Sequence, residues 1–287
     1  MSPNAGARTE RPPAPEPLPH PVVDNHCHLD IARGDLETPA LPVAEAITAA
    51  AAVGVPRIVQ IGCDLERARW AVAALADHPQ LVAGVALHPN EAPLVVAAGR
   101  LDDAMAELEQ LVRSHDRVRA VGETGLDFFR TGEDGIAAQV ESFRRHIDLA
   151  KRTDSTLVIH DRDAHDAVLR VLDEEGAPER WVMHCFSGDA AFARACLDRG
   201  AHLSFAGTVT FGNAGHLREA LAMAPQDRLL VETDAPFLTP APHRGRLNAS
   251  YLIPITMRLM AQVRGEDLGE LCAAVEANTD RAFGGSW

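Results

Sequence analysis

His26 and His28 stand two apart, just after the apolar pair Val22 and Val23. On an extended strand alternate side chains share a face, so both imidazoles project to the same side and form a ready chelate. Four more groups of the kinds that hold divalent cations follow other short apolar runs: Glu123 after 118–121, His160 after 156–159, His184 after 181–183 and Asp234 after 229–231. Four imidazoles and two carboxylates suffice for two divalent ions sharing a bridging ligand. Such a centre performs metal-assisted hydrolysis, with Asp234 the candidate to orient a water and accept its proton while holding one ion. A single histidine at a strand end is usually a hydrogen-bonded structural residue. Six donors at matching positions of separate runs are much harder to explain that way.

The elements that must position these groups are visible as eight β-branched or apolar runs, at 22–23, 57–61, 81–87, 118–121, 156–159, 181–183, 202–205 and 229–231. Between them lie segments of helical period, such as Leu101, Met105, Leu108 and Val112, or Ile136, Val140, Phe143, Ile147 and Ala150. Asp64 and Asp189 suit helix N-caps, and Gly54 and Gly200 suit helix stops. Strands alternating with helices imply parallel βαβ units, and eight of them predict an α/β fold, a (β/α)8 TIM barrel. Seven of the eight runs end in chemically active groups. A barrel gathers all of these at its C-terminal mouth. The expected organisation is one domain over 21–287, preceded by a disordered Pro-rich tail at 1–20, whose lack of an apolar core is unlike a secretory signal.

The 287 residues carry 27 Lys+Arg against 41 Asp+Glu, a formal charge of −14, which excludes a broadly basic nucleic-acid coat. No apolar run approaches the ~20 residues of a membrane span, so no membrane association is expected. Five cysteines without a CxxC pair suit a reducing compartment, and a cytoplasmic location is the default expectation. No zinc-helix HExxH, dinucleotide fingerprint or P-loop is present.

Five segments in order, Asp24-Asn25-His26-Cys27-His28-Leu29-Asp30, Gly122-Glu123-Thr124-Gly125-Leu126-Asp127, the stretch at 158–164, His184-Cys185-Phe186-Ser187-Gly188 and the stretch at 230–236, carry a resemblance to the TatD-family metal-dependent hydrolases, within the amidohydrolase-like barrels. A sixth, Arg244-Gly245-Arg246-Leu247-Asn248, extends it. Two positions depart from that pattern: Asn25 stands where the family usually has Thr, and Ser250 where Pro is common. The resemblance implies a phosphodiesterase, with many relatives acting as divalent-metal-dependent DNases that trim single strands or ends from the 3′ side. Related binuclear barrels often bridge their ions with a carbamylated lysine at the end of strand four. Here the only lysine, Lys151, lies elsewhere, and Glu123 occupies that place as the expected bridge.

The resemblance also suggests that His88 touches the scissile phosphate or protonates the leaving oxygen, the alternative being a cap of the turn after strand three. Arg162, Arg244, Arg246 and Asn248 are candidate phosphate contacts. Phe128, Phe129 and Phe186 could stack on bases, but core packing is the expectation for aromatics this scarce. Four imidazoles favour zinc, manganese or cobalt, whereas the family is commonly described as magnesium-dependent, so tight binding of zinc-like ions with activity on magnesium or manganese is expected. The expected substrate is a DNA end or a short oligonucleotide, and no obligate protein partner is evident. Two readings from other classes stay open: ester or amide hydrolysis, including D-aminoacyl-tRNA, and a non-catalytic metal-binding scaffold. A glycosidase has no use for the histidine chelate.

Overall fold

The computed structural model describes residues 11–32 and 41–287. Eight strands, β1 (Val23–Cys27), β2 (Arg57–Gly62), β3 (Leu81–Val85), β4 (Val118–Asp127), β5 (Thr156–Arg162), β6 (Trp181–Met183), β7 (His202–Phe205) and β8 (Leu229–Val231), pair in parallel in chain order. The ring is drawn together at its C-terminal end, where Cys27 bridges Ala235, His28 N donates to Ala235 O (2.8 Å) and Asp234 N donates to His26 O (3.0 Å). Closure therefore joins the backbones of residues that carry candidate ligands. The predicted TIM barrel is the observed fold.

Helices α1 (Val43–Ala51), α2 (Leu65–Ala74), α3 (Ala92–Ala97), α4 (Leu101–Ser114), α5 (Glu133–Thr153), α6 (His165–Glu175), α7 (Ala190–Leu197), α8 (Gly215–Met223), α9 (Ile253–Arg264) and α10 (Leu268–Ala282) accompany the strands. Asp64 caps α2 by accepting from Arg67 N (2.8 Å), and Asp189 caps α7 from Ala191 N and Phe192 N (2.9 Å each), as the sequence suggests. Inside the ring, Val23, Val59, Ile61, Val82, Ala120, Val158, Val182 and Leu230 form a small core of their own. Phe283, at the end of α10, closes that core from the N-terminal side, with Thr156 Oγ1 donating to Ala282 O and the Trp287 ring lying under the guanidinium groups of Arg57 and Arg119. A polar centre at the mouth thus stands on a dry, packed floor.

The tail expectation needs correction over 11–20. Leu18 is buried and its N–H donates to Val53 O (3.0 Å), Tyr251 Oη donates to Pro12 O (2.7 Å), and Arg258 donates to the carbonyls of Glu16 and Pro17. Proline lacks an N–H but keeps its carbonyl, so an extended Pro-rich segment can be tied down by donors from the domain it crosses. Residues 1–10 of the expected tail lie outside the described residues.

Helix α5 also fixes the end of β3. His146 is fully buried, its Nδ1 donating to Ser142 O (2.7 Å) while Nε2 accepts from Leu87 N (3.1 Å), an arrangement only the neutral ring can make. Burial pushes its pKa down from the ordinary 6.5 to about 4. The unfolded chain therefore binds a proton that the folded chain refuses, so this contribution is complete above pH 6.5 and is lost as pH falls toward 4. Within that window a His146→Gln variant is expected to show a stability slope shallower than wild type by up to about 1.4 kcal/mol per pH unit, read from urea unfolding at each pH. Parallel profiles would refute the assignment.

Candidate metal centre

His26 on β1 and His28, one residue past the end of that strand, are both buried. His26 Nε2 lies 3.7 Å from Glu123 Oε1 and 3.9 Å from Asp234 Oδ1, and His28 Nε2 lies 3.6 and 3.3 Å from the same two oxygens. Across the centre, Glu123 Oε2 is 3.2 Å from His160 Nδ1 and 3.2 Å from His184 Nε2. One carboxylate thus divides its oxygens between two pairs of imidazoles, the arrangement expected of a bridge. All six predicted ligands come together.

Several of these spacings are too long for good hydrogen bonds. Donors held ~2.1 Å from one ion at a tetrahedral angle would lie about 3.4 Å apart, close to the observed values. Both ring nitrogens of His26 are buried without a hydrogen-bond partner, a costly state for a group whose natural partner is a cation. The donor set therefore fits divalent metal.

Each remaining imidazole is aimed by an acceptor on its outer side. His28 Nδ1 donates to Ile61 O (3.0 Å), His184 Nδ1 faces Glu232 Oε1 at 2.8 Å, and His160 Nε2 faces Asp127 Oδ2 at 3.5 Å. These contacts leave the opposite lone pair directed at Glu123. Glu232 is fully buried and is held by Cys185 N and Ser204 Oγ, and Ser204 in turn by Asn25 Nδ2 (2.8 Å). Asn25, one of the two departures from the family pattern, is thereby built into the support of a ligand. At Gly125, φ is +136° and an added Cβ would lie 2.1 Å from His160 O, so only glycine lets β4 pass this close to the ligand's backbone.

The electrostatics follow from this crowding. Burial alone would raise the Glu123 carboxyl, but His184, His88 and His160 outweigh it and hold the group well below the usual carboxylate range. Burial would likewise raise Asp234, and His28 and His184 reverse that. For His184 burial is outweighed by Glu232 and Glu123, which raise its pKa well above the ordinary value, whereas burial and the His184 charge lower His26. Asp24, behind the centre, is pushed up to about 7 by burial while accepting from Thr233 N and Oγ1, and it ties β1 to the segment after β8.

His88 forms the turn cap that the sequence offered as its alternative role, and its other ring nitrogen is turned to the centre. Its Nδ1 accepts from Asn90 N (3.0 Å), capping the turn after β3, and Nε2 faces Glu123 Oε2 at 3.9 Å. With Nδ1 accepting, the neutral ring carries its proton on Nε2, toward the centre. Burial lowers its pKa to about 4.

The phosphate candidates divide. Arg162 lies at the rim, two residues beyond His160, with its guanidinium 3.9 Å over the Phe129 ring. Arg244 is exposed and lies 4.4 Å over Phe211, and Arg246 is partly exposed on the same loop. Asn248 is not brought to the centre as a free group. It is buried, its Nδ2 donates to Thr233 O and Phe237 O, and its Oδ1 accepts from Ala249 N, so the amide holds the loop around Asp234. Of the three aromatics expected in the core, Phe186 is buried and Phe128 packs against the core, but Phe129 is 63% exposed.

Three neighbours escaped sequence reasoning: Glu232, Asp127 and Cys63, whose Sγ lies 3.4 Å from Glu123 Oε1. The two carboxylates sit within the motif strings, yet nothing local says which histidine each will meet. Cys63 had only its place after the second run to mark it.

Residues 23–284 match the family model described as TatD related DNase. The chain is 46% identical over 271 residues to the uncharacterized metal-dependent hydrolase TatD of Mycobacterium tuberculosis, covering 93% of this chain and 99% of the relative. It is 35% identical to the metal-dependent hydrolase YabD of Bacillus subtilis, covering 91% and 98%. Among solved structures, YjjV, a TatD homolog from Escherichia coli K12, superposes with a TM-score of 0.82 at 28% identity, over 92% of this chain and 98% of that one.

Proposed function

Because the chain belongs to the TatD related DNase family of metal-dependent hydrolases, we propose that it is a phosphodiesterase that shortens DNA ends or single strands in the 3′ to 5′ direction at a site for two divalent ions. The observation that carries this reading is the division of the Glu123 oxygens between the His26–His28 pair and the His160–His184 pair. Bound divalent ions supply a water of lowered pKa and positive charge beside the phosphate oxygens. The protein's groups account for the rest. Asp234, its side chain 14% exposed in the mouth, orients the water and accepts its proton. As water oxygen bonds to phosphorus and the P–O3′ bond breaks, the Nε2–H of neutral His88 hydrogen-bonds to the departing 3′ oxygen, which is neutralised by the proton that the attacking water gave up. Arg162 and the Arg244–Arg246 loop hold flanking phosphates.

Zinc-like ions are expected to bind tightly to this histidine-rich set, with magnesium or manganese supporting turnover. No helix among the described residues is long and apolar enough to cross a membrane. Five free cysteines accord with a cytoplasmic setting.

The test is a 5′-labelled single-stranded DNA given magnesium or manganese, run beside an aminoacyl ester and a lactone. Stepwise loss from the 3′ end, at rates well above either carboxylic ester, is expected. Turnover of an ester without shortening of the DNA would overturn the phosphodiesterase reading in favour of carbonyl chemistry at the same centre.

A further inference from the structure

We infer that Phe129 and Arg162 form a stacking platform at the rim, which seats an unpaired nucleobase beside the phosphodiester at the centre. The inference rests on the phosphodiesterase reading for its chemistry, and on the following geometry for its place. β4 and β5 stay paired past the ligands, with Asp127 opposite Arg162 and Phe128 N donating to Arg162 O (2.9 Å). Residues two apart on a strand share a face, so Arg162 rises one side-chain step, about 7 Å, above His160. Phe129 is fixed from below, its N–H donating to Asp127 Oδ1 (3.1 Å), while Asp127 Oδ2 faces His160. One carboxylate positions both a ligand and the platform.

The chemistry of the pair matches a nucleotide. Leu94, Phe129 and Phe237 are the exposed large hydrophobics among the described residues, and all follow strands β3, β4 or β8, on the mouth side. Phe129 and Phe237 flank the centre from opposite sides, since β4 and β8 lie half a ring apart. The Arg162 guanidinium lies over one face of Phe129 and has no carboxylate partner among the described residues, unlike Arg69, Arg113, Arg144 and Arg152 on the outer helices, each of which pairs with a carboxylate. A ring largely open to solvent next to an uncommitted guanidinium offers a stacking surface and an anion fork side by side, which suits a base and its phosphate. In duplex DNA an internal base already has both faces stacked. The platform therefore selects single strands and frayed ends.

The experiment measures binding by fluorescence anisotropy and steady-state cleavage, using a short 5′-fluorescein oligonucleotide and the same strand with an abasic residue near its 3′ end. Phe129→Ala should weaken binding of the intact strand about tenfold and raise KM rather than lower kcat, while Phe129→Trp restores both. The abasic strand should bind wild type as weakly as the intact strand binds Phe129→Ala, with no further loss when the two changes are combined. Equal binding of the intact strand by wild type and Phe129→Ala, or an equal loss on both strands, would overturn the platform. Phe129-dependent binding without cleavage would sink the hydrolysis reading and leave the platform standing. Absence of binding by wild type would remove both.

Discussion

Glu123→Ala should lower turnover by at least about a thousandfold and release metal, because one side chain serves both halves of the centre. Its two oxygens face four imidazoles at 3.2 to 3.7 Å, so truncation leaves each pair without a shared anion and places several histidines near one another with nothing between them. Glu123→Gln is the sharper variant. It keeps the shape but offers one oxygen and one amide donor, so one imidazole pair keeps an acceptor while the other confronts an N–H. Metal analysis after dialysis should show near-complete loss for alanine and loss of about one ion for glutamine, if the site holds two. Asp234→Asn, by contrast, should retain more metal while losing turnover, since its proposed task includes taking a proton that an amide cannot hold. Wild-type metal content and turnover in Glu123→Ala would end the case for a bridge.

The second large effect is expected at a residue that need not touch an ion. Glu232→Gln should weaken metal binding about 10- to 100-fold, measured by competition with a zinc chelator. The carboxylate faces His184 Nδ1 at 2.8 Å and accepts from Cys185 N and Ser204 Oγ. An amide here can turn its oxygen to only one side, so either Ser204 or His184 meets an N–H. If His184 yields, its proton moves to Nε2 and the lone pair aimed at Glu123 disappears. Ser204→Ala removes one donor to Glu232 and should cost less. Unchanged affinity in Glu232→Gln would show that the ring is oriented by packing alone, for which the His26 ring stacked 3.6 Å away is the available contact.

Much of this was legible in the residues. The eight runs correspond to the eight strands, the Asp64 and Asp189 caps form, and the six donors converge. The run boundaries were less so. β4 and β5 continue to Asp127 and Arg162, beyond the expected ends at 121 and 159, because a run of polar residues reads as loop when it is in fact paired strand lining a barrel mouth. Asn248 lies close to the expected loop, but two nearby carbonyls had a prior claim on its amide. The Pro-rich segment was read by its composition alone, while its donors reside more than 230 positions away, at Tyr251 and Arg258.

By itself the chain's residue pattern determined the barrel, the mouth and the ligand types, because strand alternation and the grouping of strand ends are local or topological consequences. The tertiary structure decided which nitrogen of each histidine faces inward, that Glu232 and Asp127 aim two of them, and that Phe129 stands out in solvent. These depend on contacts between residues such as 184 and 232, or 127 and 160, whose meeting is set by inter-strand register and ring closure. Local sequence fixes neither.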